Sequence, residues 1–244
     1  MGLDMSAPRV QIERASIFNN KKNAAGGFVL SMPLPVSAPS ILVADDHPLF
    51  RQALILAARK VRPDAHILEA GTLDAALEAV RQATNLKLVL LDLRMPGAEG
   101  FSGVALLHAE VPHVPVLVVS AADAEKAARE ARRFGAVGFI GKDQPLPRMQ
   151  EAISDALEGR VSDTPPADPE VDTVAAKVAD LTPTQLRVLL GVLAGRLNKQ
   201  IAYDLSISEA TVKAHMTAIM RKLDVQNRTQ AVLAARALGI GIEG

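Results

Sequence analysis

The chain has 244 residues and no cysteine, and its 27 lysines and arginines balance 27 aspartates and glutamates. That length suits two ordinary domains, and 49% hydrophobic with 22% charged residues excludes a wholly disordered or collagen-like chain. The lack of cysteine excludes disulfides, thiolate metal centres, iron–sulfur clusters and cysteine nucleophiles, and suits a reducing, cytoplasmic compartment.

The neutral total conceals a basic end. Residues 177–244 carry nine lysines and arginines against five acidic residues, whereas residues 161–176 carry four acidic residues and no basic one. A small basic domain beside an acidic linker points toward nucleic acid, whose phosphates such a domain neutralises; ordinary surface scatter gives a similar count.

Residues 1–39 read as a disordered leader. Lys21 and Lys22 precede a short apolar run, Gly26 to Ala38, that has the look of a signal peptide, but Pro33 and Pro35 interrupt it. An alternative is a start at Met32, just ahead of the first strong strand signal. No run reaches the roughly 20 apolar residues of a membrane helix, so no membrane partner is expected.

From residue 40 to 158 short valine- and leucine-rich runs alternate with amphipathic stretches of helical period, the pattern of a parallel sheet covered by helices on both faces. Strands are expected at Ile41 to Ala44, Ala65 to Glu69, Leu88 to Leu91, Val116 to Val119 and Val137 to Ile140. Helices are expected to start near Pro48, Thr72, Phe101, Asp123 and Leu146. Residues 159–180, with Pro165, Pro166, Pro169 and several acids, read as a linker. Residues 181–244 are helical only. Thr182, Pro183 and Gln185 form a capping box at the start, Gly195 marks a break, Asn198 is expected to cap a second helix and Ser208 a third.

Ligands of open parallel sheets bind beyond the carboxyl ends of the strands. Asp45 and Asp46 follow the first strand, Asp92 the third, Ser120 the fourth, and Lys142 lies two residues past the fifth. Clustered carboxylates repel one another, and a hard dication with oxygen ligands, usually Mg2+, keeps them ionised. With that charge offset, Asp92 can attack a phosphoryl group, Lys142 can pair with its oxygens and Ser120 can donate to it, with small Ala121 leaving room. Singly, the aspartates also suit turn or cap positions and Lys142 an exposed loop; four strand ends in the right order favour the site. His47 has no second histidine at ligand spacing and reads as a structural or surface residue.

In the last domain Val212, Met216, Ile219 and Leu223 share one side of the third helix and are expected to face a core. The opposite side presents Ala210, Ala214, Thr217 and Arg221 flanked by Lys213: small residues that permit close approach, a hydroxyl and cations, as in a helix lying in the major groove.

The pair Asp45-Asp46, the run Leu90-Leu91-Asp92-Leu93-Arg94-Met95-Pro96-Gly97, Ser120-Ala121 and Lys142 together resemble the receiver domain of response regulators. The strings Asn198-Lys199-Gln200-Ile201-Ala202 and Ile207-Ser208-Glu209-Ala210-Thr211-Val212-Lys213-Ala214-His215 resemble the LuxR-type helix-turn-helix, and the combination is similar to the NarL/FixJ class. The resemblance implies a flavodoxin-like, doubly wound five-stranded receiver followed by four helices. It implies phosphorylation of Asp92 by a histidine kinase, with Mg2+ held by Asp46, Asp92 and the Arg94 carbonyl and assisted by Asp45. It also implies a switch pair in Ser120 and Phe139, and double-stranded DNA as partner. DNA contacts would come from Asn198, Lys199, Ala210, Thr211, Lys213, Ala214, Thr217 and Arg221, with helix 228–238 mediating a homodimer. The chain departs from the family in Ser120, where threonine is common, in Asp143, where proline often follows the lysine, and in Gln185, where glutamate is usual. Two other readings remain: a DNA-binding regulator that ignores phosphorylation, and an adaptor whose helical module docks a protein. The only enzyme-like chemistry in view is gain of a phosphoryl group from a donor and its loss.

Overall fold

The computed structural model describes residues 38–98, 100–121, 124–160, 175–238 and 240. The expected leader to residue 37 and residues 161–174 of the expected linker lie outside these.

Five parallel strands form one sheet: β1 Ser40–Ala44, β2 His66–Ala70, β3 Leu86–Leu91, β4 Val116–Ser120 and β5 Ala136–Gly141. Their order is β2-β1-β3-β4-β5, which puts the change of winding direction between β1 and β3, where ligands of doubly wound sheets bind. The second strand begins and ends one residue later than its apolar run suggests.

Alternate residues of each strand feed two cores. Ile41, Val43, Leu88, Leu90, Leu117, Val119 and Ile140 pack with α1 Pro48–Val61 and α5 Leu146–Leu157. Leu42, Ala44, Val89, Leu91, Val116 and Val118 face the side of α2 Leu73–Gln82, α3 Ser102–Glu110 and α4 Ala124–Arg133. Burial on both faces is what a continuous apolar strand requires. Thr72 caps α2 as expected, accepting from Ala75 N at 3.2 Å; the expected α4 cap at Asp123 lies outside the described residues.

Four helices follow: α6 Pro183–Leu193, α7 Asn198–Asp204, α8 Glu209–Leu223 and α9 Arg228–Ala237. Thr182 and Gln185 close the capping box before α6. Ser208 caps α8, its Oγ accepting from Thr211 N at 3.1 Å. The expected cap at Asn198 is corrected: Leu197 is the N-cap of α7, its N–H donates to Gln200 Oε1 at 2.8 Å, and Asn198 is the first helical residue. Asn198 Oδ1 instead accepts from Arg228 Nη1 at 2.9 Å, which ties α7 to α9. Residues 175–179, within the stretch expected as linker, form a helical turn that buries Ala175 and Val178.

Candidate functional site

The carboxyl ends of β1, β3, β4 and β5 converge. Ala44 is in register with Leu91 and Ser120 with Gly141, so the residues that follow these strands meet above the sheet edge. The Asp92 N–H donates to Ala44 O at 2.8 Å and the Lys142 N–H to Ser120 O at 2.9 Å, and each bond carries the ladder one residue past its strand.

Lys142 Nζ lies 2.7 Å from Asp45 Oδ2 and 2.8 Å from Asp92 Oδ2, with both carboxylates buried. The face of Phe50 lies beneath the ammonium, 4.8 Å from Nζ to the ring centroid. Burial works to lower the Lys142 pKa, but its hydrogen bonds to Asp45 and Asp92 and their attraction outweigh that, so the amine is held above the usual lysine value. It therefore stays charged at neutral pH.

Asp46 is half-buried beside them. Ligand atoms of Asp45, Asp46, His47 and Asp92 all lie within 4.8 Å of one another, a spacing compatible with a dication in oxygen-rich surroundings. Asp92 Oδ1 accepts from the Arg94 N–H at 3.2 Å, which fixes the start of the loop that holds Arg94. Ser120 is fully buried, and its hydroxyl has no hydrogen-bond partner among the described residues. A buried hydroxyl left unpaired is costly and marks a place for an added acceptor. Phe139 is half-buried against the α2–α4 core.

Three neighbours are not legible in the sequence as site residues. His47, expected as a surface or structural residue, has Nδ1 only 2.6 Å from Asp46 Oδ1. Arg51 Nη1 donates to the Asp45 carbonyl at 2.7 Å while its Nε reaches Glu69, bracing the β1–α1 turn. Phe50 completes the lysine's surroundings. Their one sequence signal is proximity to Asp45-Asp46 in a turn that leads straight into a helix.

In the helical domain Val212, Met216, Ile219 and Leu223 are buried, while Ala210, Lys213, Ala214, Thr217 and Arg221 are exposed along the other side of α8. Thr211 is half-buried and turned toward Ser208. Thr217 Oγ1 donates to the Lys213 carbonyl at 3.1 Å. Lys199 is exposed and Asn198 half-buried.

Residues 41–154 match the family model of the response regulator receiver domain, and residues 179–235 match that of the luxR family of bacterial regulatory proteins. The chain is a response regulator of the NarL/FixJ class. Among curated relatives, the glycerol metabolism activator of Pseudomonas putida is 42% identical over 207 residues, covering 80% of this chain and 94% of that protein. A probable transcriptional regulatory protein NarL of Mycobacterium tuberculosis is 32% identical over 211 residues, covering 84% and 97%. Full-length FixJ from B. japonicum, a solved structure, is 27% identical over 82% of this chain and 97% of FixJ, with a TM-score of 0.44. This response regulator thus joins a receiver to a LuxR-type DNA-binding domain and acts in transcription.

Proposed function

We propose that Asp92 accepts a phosphoryl group from a phosphohistidine of a partner kinase in the cytoplasm, and that the acyl phosphate controls DNA binding by the helical domain. An Asp92 carboxylate oxygen attacks phosphorus, the P–N bond breaks, and the departing imidazole keeps the bonding pair and gains a proton. Asp45, Asp46, Asp92 and the Arg94 carbonyl would hold Mg2+, which lowers the repulsion between the carboxylates and the incoming anion. Lys142, already poised between Asp45 and Asp92, pairs with a phosphoryl oxygen. Ser120 donates its unpartnered hydroxyl to another, and Phe139 follows the hydroxyl inward.

The observation that carries this reading is the convergence of Lys142 on Asp92 beside the buried Ser120 hydroxyl, which has no partner among the described residues. Downstream, Ala210, Thr211, Lys213, Ala214, Thr217 and Arg221 meet the major groove, Asn198 and Lys199 lie near phosphates, and α9 pairs two copies on two half-sites. The name of the Pseudomonas putida relative supports activation as the direction of control.

Acetyl phosphate with Mg2+ tests the reading. The wild type gains one phosphoryl mass, shifts toward dimer and binds its operator more tightly, while Asp92→Asn does none of these. Labelling of Asp92→Asn, or identical DNA binding by treated wild type and variant, overturns it. An unchanged, DNA-independent association with another protein would favour the adaptor reading.

A further inference from the structure

We infer that His47 belongs to the cation site and makes this receiver prefer a transition dication, of which Mn2+ is the probe, over Mg2+. The inference rests on the reading above that the carboxylate cluster binds a dication.

Local structure sets the position of the histidine. Asp45 Oδ1 accepts from the His47 N–H at 2.8 Å, closing a turn between β1 and α1. Pro48 opens α1, and the residue before a proline is held in extended backbone; His47 has φ −90 and ψ 105. With the backbone pinned on both sides, the imidazole is carried to the mouth of the cluster. Its Nδ1 stands 2.6 Å from Asp46 Oδ1 and 3.7 Å from Asp45 Oδ1. The side chain is 68% exposed, so an ion arriving from solvent meets the ring before it meets Asp45 or Asp92.

The donor spacing fits one ion. Around an octahedral cation with ligands near 2.1 Å, adjacent donors stand about 3 Å apart and opposite donors about 4 Å. The four candidate donors lie within 4.8 Å of one another, so the widest pair closes by less than about 1 Å to take opposite positions. His47 and Asp46 are closest, as neighbours in one coordination sphere are, and their separation needs to open by only a few tenths of an ångström.

The donor chemistry then separates cations. Mg2+ holds oxygen ligands and keeps its water, gaining little from an imidazole. First-row transition dications bind nitrogen progressively better along the series from Mn2+ upward. Three carboxylates alone make a hard, charge-driven site; adding an imidazole raises transition-metal affinity and leaves Mg2+ affinity nearly unchanged. A His47 that merely hydrogen-bonds Asp46 behaves differently. It competes with every cation for the same oxygen, so removing it helps Mg2+ and Mn2+ alike.

Calorimetric titration of full-length wild type and His47→Ala with Mg2+ and with Mn2+ tests this, with a thermal melt to establish that the exposed substitution leaves the fold intact. Loss of an imidazole ligand is expected to lower the Mn2+ to Mg2+ affinity ratio severalfold, mostly through Mn2+. Pulsed electron paramagnetic resonance of the Mn2+ complex supplies a direct signature: nitrogen coupling present in wild type and in His113→Ala, absent in His47→Ala. An unchanged ratio, or nitrogen coupling that survives His47→Ala, overturns the inference while leaving the carboxylate site standing. Failure of wild type to bind either cation overturns both.

Discussion

Arg187 on α6 and Glu110 at the end of α3 form an ion pair between the helical domain and the receiver, with Nη2 3.2 Å from Oε2. Arg81 on α2 reaches the other oxygen of the same carboxylate at 2.7 Å, which raises the arginine's pKa through that hydrogen bond. At the opposite end of α3, Gly100 bridges to Ile240, which is buried. The loop that starts at Asp92 therefore runs into a helix whose two ends both hold the helical domain, and the outer side of α8 is left open by this arrangement.

Glu110→Ala removes the shared carboxylate and should free α6 from α3. Both arginines stay partly solvated, so the stability loss is expected to be only about 1 kcal/mol. The larger effect is on coupling: amide exchange in α3 and α6 should quicken, and operator binding by unphosphorylated protein should rise severalfold. Unaltered exchange in α6 would show that the pair does not hold the domains.

Lys142→Ala and Asp92→Asn are expected to move stability in opposite directions. Removing the lysine leaves Asp45 and Asp92 buried without their cation, at a cost of about 3 kcal/mol. Removing one carboxylate relieves repulsion within the cluster, a gain of roughly 1 kcal/mol. Because the amine's pKa is raised in the folded state, its contribution is complete below the ordinary lysine value and lost only as pH climbs through the raised one. Chemical denaturation of wild type and Lys142→Ala should thus differ by a constant amount from pH 7 to 9, with the gap closing above about pH 10.

His108 gives the acid side its own signature. Gly135, at φ +95, lets the imidazole lie against bare backbone, since a Cβ there would sit 2.5 Å from His108 Cγ. Burial lowers the His108 pKa below its ordinary value. The native state therefore binds its proton less readily than the unfolded chain, and stability falls as pH drops below about 6.5. Denaturation midpoints should show that slope in wild type and a shallower one in His108→Gln. Gly135→Ala combines the clash with a left-handed backbone and should cost about 2 kcal/mol or more.

The sheet and the four strand-end residues can be read from the chain because they follow simple periods: continuous apolar runs bury both faces, and polar residues stand where those runs stop. The surroundings of Lys142 cannot. Phe50, Arg51 and His47 reach the site through rotamers set by one turn, which no spacing encodes. Asn198 looks like a helix cap because asparagine at a helix start usually is one, whereas its partner Arg228 lies 30 residues away. Glu110 and Arg187 are 77 residues apart, on helices whose charged ends look like any solvated surface. The helical turn at 175–179 is masked by the proline-rich, acidic composition ahead of it.

The outer side of α8 leads to a prediction that separates positioning from base reading. Lys213 and Arg221 are exposed, and neither forms an ion pair with a carboxylate among the described residues, so their charges are available to the phosphate backbone. If Lys213 pairs with a phosphate, Lys213→Ala weakens every DNA sequence alike and lowers the salt slope of log affinity by about 0.9 for each phosphate no longer neutralised. Thr217 stands between them with its hydroxyl already donating to the Lys213 carbonyl, so under the proposed reading its methyl and lone pairs are what it offers to a base edge. Thr217→Ala should leave the salt slope unchanged and reduce discrimination at one base pair by about 1 kcal/mol. Titrations of operator and of a single-base variant across several salt concentrations distinguish the two. A Thr217→Ala protein that loses affinity equally for both sequences would assign that residue to the backbone instead.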